Sequence, residues 1–246
     1  MIIDTHCHLD VYDNIDEVIS RFDGIMITSG YDDKSNLKVL KLVNKYPNVY
    51  GTLGIHPEEA SNNYDLNIII DNINNDKIVA IGEIGLDYHY TKDNINKQQE
   101  LLKKQLDIAK KYNKPVVVHS RDAIMDTYNI LSDYNLKGVI HCYSGSIEMA
   151  HKFIQLGYKI GVGGVLTFKN GKKLREVVNN ISISDILSET DTPYITPEPF
   201  RGQVNEPKNV YYVLEKLAEL KNIKMEEIIK KTSSNALEIF NISNLT

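Results

Sequence analysis

His6-Cys7-His8 sets two imidazoles two residues apart at the end of a short apolar run, Ile2-Ile3-Asp4. In an extended strand alternate side chains share a face, so His6 and His8 project together. Two imidazoles converging at a strand end bind a divalent cation when further ligands arrive from elsewhere in the chain. Residues of the right type recur after other apolar runs: Glu83, His119, His141 and Asp191. Taken singly each has a plain structural explanation, because a buried His is usually hydrogen-bonded core and an Asp after a strand usually caps a turn or helix. Ligand-type residues at five strand ends point instead to a binuclear metal site.

The chemistry divides naturally. His6, His8 and Asp191 suit one cation, His119 and His141 the other, and Glu83 is the carboxylate placed to bridge both. Two cations about 3.5–4 Å apart trap a bridging hydroxide and stabilise charge on an attacked phosphate. Asp191 is then the candidate general base, with Glu83 the second catalytic carboxylate. Imidazole-rich ligation favours Zn²⁺ or Mn²⁺, and the carboxylates keep Mg²⁺ open.

The elements that must position these residues alternate along the chain. Short β-branched runs begin near Ile2, Gly24, Val49, Ile78, Val116, Gly138, Tyr158 and Ile186. Helical stretches separate most of them. The clearest runs from Lys97 to Tyr112, where Leu101, Leu102, Gln105, Leu106 and Ala109 form one stripe. Such alternation implies a parallel sheet with right-handed crossovers, and eight units in this length imply a (β/α)₈ TIM barrel. An open doubly wound sheet is the competitor, but no glycine-rich phosphate fingerprint follows strand one. Amphipathic helices are expected at Pro207 to Leu220, Lys224 to Lys231 and Ser233 to Phe240. No linker composition interrupts the chain, so residues 1–246 read as a single domain with extra C-terminal helices.

The 246 residues carry a formal net charge of −5, which argues against bulk electrostatic coating of duplex DNA but leaves room for a local pocket. No apolar run approaches the roughly 20 residues that span a bilayer. Two cysteines, Cys7 and Cys142, suit a reducing compartment, and the absence of an N-terminal basic and apolar pair of regions predicts no signal peptide. A cytoplasmic, membrane-free protein is expected; the oligomeric state is open.

Six ordered motifs then carry a family resemblance: Asp4-Thr5-His6-Cys7-His8-Leu9-Asp10, Gly54-Ile55-His56-Pro57, Gly82-Glu83-Ile84-Gly85-Leu86-Asp87-Tyr88, His119-Ser120-Arg121, His141-Cys142-Tyr143-Ser144-Gly145 and Glu189-Thr190-Asp191-Thr192-Pro193-Tyr194. The chain resembles the TatD-type metal-dependent deoxyribonucleases of the amidohydrolase superfamily. The resemblance extends through Arg201-Gly202-Gln203-Val204-Asn205-Glu206-Pro207 to Asn235-Ala236. It implies a TIM barrel, the six ligands named above, and hydrolysis of DNA phosphodiesters, trimming single strands or frayed ends from the 3′ end.

Beyond the ligands, His56, Arg121 and Arg201 are candidates for contacting substrate phosphates, against the plainer readings of a turn-stabilising histidine and two solvated arginines. Tyr88, Tyr143, Tyr194 and Phe200 either stack on unpaired bases or pack in the core. Cys7 and Cys142 should point away from the metals by alternation. Two other functions fit the same residues: a related metallohydrolase acting on a small amide, a lactone or an aminoacyl-tRNA ester, and a non-catalytic scaffold, for which a missing ligand would speak.

Overall fold

The computed structural model describes residues 1–90 and 92–243. Its strands are β1 (Ile2–Cys7), β2 (Gly24–Ser29), β3 (Val49–Leu53), β4 (Ile78–Asp87), β5 (Val116–Arg121), β6 (Gly138–Ile140), β7 (Tyr158–Val162) and β8 (Ile186–Ser188). They lie parallel in that spatial order. Past the end of β8, Asp191 N–H donates to His6 O at 2.9 Å and His8 N–H to Thr192 O at 2.8 Å. The ring is thereby nearly closed: a (β/α)₈ barrel.

Around it run α1 (Ile15–Ser20), α2 (Asp33–Lys45), α3 (Asn67–Asn72), α4 (Ile95–Tyr112), α5 (Ile124–Ser132), α6 (Ile147–Gln155), α7 (Lys172–Asn180) and α8 (Val210–Lys221), followed by α9 (Met225–Ile239). Local signals explain the starts and stops. Asp32 and Ser35 form a reciprocal capping box at α2, and Asn113 ends α4 in the left-handed region at φ 51°. The buried stripe of α4 includes Leu101, Leu102, Gln105, Leu106 and Ala109, as its spacing predicts.

The last two of the three expected tail helices are one, α9. The gap between the two expected segments falls on Thr232, and hydroxyl residues compete for backbone partners. In α9 they do not: Thr232 Oγ1 donates back to Ile228 O at 3.0 Å, and Ser233 Oγ donates to Met1 O at 2.9 Å. Asn235 Nδ2 reaches Ile186 O at 2.9 Å, so α9 seats on the N-terminal ends of β1 and β8. Strand β4 is also longer than its apolar run, because beyond an irregularity between Ile81 and Ile84 it pairs again with β5, from Ile84 opposite Val118 to Asp87 opposite Arg121.

Apolar side chains form two layers. Between strands and helices lie Met26, Val49, Leu53, Ile78, Ile81, Ile84, Leu86, Val116 and Val118. A second cluster joins Ile3, Ile25, Ile27, Tyr50, Val79, Val117, Val139 and Leu187 to Ala236, Ile239 and Phe240 of α9, filling the barrel from its N-terminal end. The opposite, C-terminal end is where side chains turn polar. Among the described residues no helix is long and apolar enough to cross a membrane.

Candidate metal centre

Three buried side-chain amides fasten the strand ends around the mouth. Asn36 both donates to and accepts from the backbone of Gly54, Gln105 does the same with Ile55, and Gln98 with Asp87, all at 2.8–3.1 Å. Each supplies the pair of bonds a neighbouring strand would have supplied, so these loop backbones are buried without an unpaired group. On the other side Asp4, fully buried, accepts from Thr190 N–H at 2.9 Å and Thr190 Oγ1 at 2.6 Å, locking β1 to the segment that carries Asp191.

Inside this frame the six candidate ligands meet. His6 Nε2 lies 3.3 Å from His8 Nε2, 3.3 Å from Glu83 Oε2 and 3.6 Å from Asp191 Oδ1. His8 Nε2 lies 3.6 Å from Glu83 Oε2 and 3.5 Å from Asp191 Oδ1. A tetrahedral ion with ligands at about 2.0–2.2 Å needs its ligand atoms about 3.3–3.6 Å apart, so this set fits one. The second carboxylate oxygen serves a second set: Glu83 Oε1 is 2.9 Å from His119 Nδ1, 2.8 Å from His141 Nε2 and 3.6 Å from His56 Nε2. Three combinations, His6/His8/Asp191, His6/Glu83/His141 and His56/Glu83/His119, each bring ligand atoms within 4.8 Å of one another.

Neighbours set the tautomers. His8 Nδ1–H donates to the Ser29 carbonyl at 3.0 Å, which leaves Nε2 with its lone pair toward the centre. His119 Nε2–H donates to Asp87 Oδ2 at 3.0 Å, freeing Nδ1 in the same way. Asp87 was not among the candidate ligands, yet Glu83, Gly85 and Asp87 alternate along β4, so its direction was legible.

The electrostatics follow from crowding charge in a buried place. Burial pushes His6 down to about 4 and His56 down to about 3. Burial works against charge on His8 too, but the Asp191 hydrogen bond and the Glu83 charge prevail and raise it to about 9. His119 is raised to about 9 against burial by its bonds to Asp87 and Glu83. Burial alone would push the Glu83 carboxyl up; the charges of His141 and His6 hold it well below the usual carboxylate range. A divalent cation bound here would displace the centre-facing protons of His8 and His119 and meet ionised carboxylates and imidazole lone pairs, the donor set it requires.

The centre opens into a cavity of about 650 Å³ lined by residues from most of the βα loops, including Tyr31, Glu58, Tyr90, Arg121 and Tyr194. His56 lies on its wall and does two things: Nδ1 accepts from Glu58 N–H at 3.3 Å, and Nε2 faces Glu83. Arg121 is in the lining; Arg201 is not, and its guanidinium lies 4.2 Å from the Phe168 ring centroid. Tyr88 and Tyr143 are core residues, Phe200 packs edge-on against Tyr212, and Tyr194 faces the cavity. Cys7 is buried with its Sγ donating to Ile27 O at 3.4 Å. Cys142 departs from the expected orientation: at φ 45° its backbone leaves the strand geometry, so alternation no longer governs it and it lines the cavity.

A family model for TatD related DNase matches residues 3–241. The chain belongs to that family. As a TatD-family member it is a hydrolase, and similarity extends over its whole length. It is 38% identical to the uncharacterised metal-dependent hydrolase YabD of Bacillus subtilis (strain 168), covering 99% of this chain and 100% of the relative. Among solved structures, the TatD homologue YJJV of Escherichia coli K12 superposes with a TM-score of 0.91 at 33% identity, covering 98% of each chain. A TatD-family hydrolase of Entamoeba histolytica gives 0.85 at 25% identity, again covering 98% of each.

Proposed function

We propose that this TatD-family chain is a cytosolic, metal-dependent deoxyribonuclease that holds two divalent ions and trims single strands or frayed ends from the 3′ end. The observation that carries the reading is the split of Glu83: one carboxylate oxygen faces His6 and His8, the other faces His119 and His141. A bridging carboxylate between two histidine sets is the arrangement for two-ion hydrolysis. His6, His8 and Asp191 would hold one ion and His119 with His141 the other. Zn²⁺, Mn²⁺ or Mg²⁺ bound there would supply charge neutralisation at the phosphate and an acidified water.

The chain's own residues do the rest. Asp191 faces the cavity and takes the proton of the attacking water as the water oxygen bonds to phosphorus and the bond to the leaving sugar breaks, and it returns that proton to the sugar oxygen. Asp87 keeps His119 in the tautomer that points a lone pair inward. Arg121 at the cavity wall pairs with a phosphate oxygen, and His56 faces the same space.

One observation favours a second reading, hydrolysis of a small amide, lactone or aminoacyl ester. The described lining carries five carboxylates, Glu58, Glu59, Glu83, Asp87 and Asp191, against one arginine and no lysine. Such a wall suits a small neutral substrate better than a polyanion unless bound cations neutralise it. Single-stranded oligonucleotides labelled at the 3′ or the 5′ end, incubated in Mg²⁺, Mn²⁺ or Zn²⁺ with a chelator control, separate the readings. Early loss of the 3′ label, abolished by chelator, is expected. Intact DNA in every metal, with turnover of a carbonyl ester panel, overturns the nuclease reading.

A further inference from the structure

Tyr90 is 71% exposed, yet it stands on the wall of the metal-centre cavity, just beyond the end of β4. An aromatic ring left in water at the mouth of a site contributes nothing to the core and offers a flat apolar face to a ligand. Its partner is specific. Arg121, at the end of β5, donates from Nη1 to Tyr90 Oη at 3.3 Å and sets its guanidinium carbon 5.0 Å from the ring centroid.

The two loops that carry this pair are braced. His89 Nδ1 lies 2.9 Å from Asp122 Oδ2, and the His89 ring meets the Tyr90 ring edge-on with centroids 4.9 Å apart. Arg121 is also the sole arginine or lysine among the described residues of the lining, amid five carboxylates. An anionic group entering the cavity therefore meets one guanidinium of the chain, and that guanidinium is attached to an exposed ring. The other exposed ring of the lining, Tyr194, 58% exposed, follows β8 across the barrel and faces His8 with no arginine or lysine paired to it among the described residues.

We propose that Tyr90 and Arg121 form a single nucleotide-gripping subsite, in which the ring stacks on an unpaired base and the guanidinium takes that nucleotide's phosphate. The proposal rests on the nuclease reading and adds a specificity determinant to it. Stacking on a ring accepts any base but requires one, so the subsite selects unpaired strands without reading sequence.

The test compares wild type, Tyr90→Ala and Tyr90→Phe on two single-stranded oligonucleotides: one natural, and one whose last 3′ nucleotides are abasic tetrahydrofuran residues. Tyr90→Ala is expected to raise KM for the natural strand about tenfold, with kcat within about twofold. It should leave KM for the abasic strand unchanged, and Tyr90→Phe should behave as wild type. An equal change on both strands, or no change on the natural one, overturns the subsite while wild-type cleavage keeps the nuclease reading standing. A wild type that cuts neither strand in any metal removes the nuclease reading and the subsite together.

Discussion

Strands β5 and β6 deliver their candidate ligands differently from β1 and β4. On β5 the interior residue Val117 is followed two positions later by His119, and on β6 Val139 by His141. Plain alternation carries the inward direction from core to mouth. Strand β8 follows the same rule from Leu187 to Glu189, after which Asp191 leaves it at φ 54°. On β1 the interior residue is Ile3 and the candidate ligand is His6, an odd step away, and the pairing with β2 is irregular between Asp4 and Cys7. On β4 Ile81 and Ile84 both pack outward against the helices, with the pairing to β5 irregular between them, and Glu83 turns inward. A bulge-like shift changes which face a side chain takes, and here it aims a candidate ligand. Regular strands need only a side chain of the right type; irregular ones need backbone neighbours that tolerate the shift.

That contrast is broken most severely at its centre. Glu83→Ala, on an irregular strand, removes the carboxylate that faces both histidine sets, so the rate should fall at least about 10³-fold. His141→Ala, on a regular strand, removes a contact from one set and should cost about 10²-fold. Initial rates on a single-stranded oligonucleotide with saturating Mn²⁺ measure both, and equal losses would remove the bridging role.

Leu187→Ala probes a regular strand below its ligand. The side chain is fully buried in the interior cluster, so urea unfolding should show a loss of about 2–5 kcal/mol with kcat unchanged in the folded fraction. Gly54→Ala probes the irregular side without touching a ligand. A Cβ there would lie 2.6 Å from Gly82 C and 2.7 Å from Glu83 O, too close to fit without moving the peptide that aims Glu83. Metal affinity by titration calorimetry should drop about tenfold, more than stability predicts. A change in stability alone would make Gly54 a packing residue.

The smallest effects separate the two arginines. Arg121 continues the regular register of β5 into the cavity, whereas Arg201 sits outside the lining against Phe168. Arg121→Ala should raise KM for single-stranded DNA about tenfold and Arg201→Ala by less than about twofold. The reverse order would place the strand's path over the loop after β8 instead.

Sequence alone determined the barrel, because apolar runs of strand length alternating with amphipathic helices leave few other ways to bury both faces of every strand. It also named the six residues that meet, since their types recur after strands one, four, five, six and eight. Hydroxyl residues in α9 misled because their side chains satisfy carbonyls within the helix and at Met1, partners invisible along the chain. Other facts belonged to the tertiary structure. That Glu83 faces two histidine sets depends on where β4 slips against β5, which pairing energetics across strands decide. That Asp87 holds His119, that Asn36, Gln98 and Gln105 pin the mouth, and that Tyr90 meets Arg121 are contacts between segments 11 to 50 residues apart. Periodicity reports which face a side chain takes within its own element; only closure of the barrel decides what stands opposite.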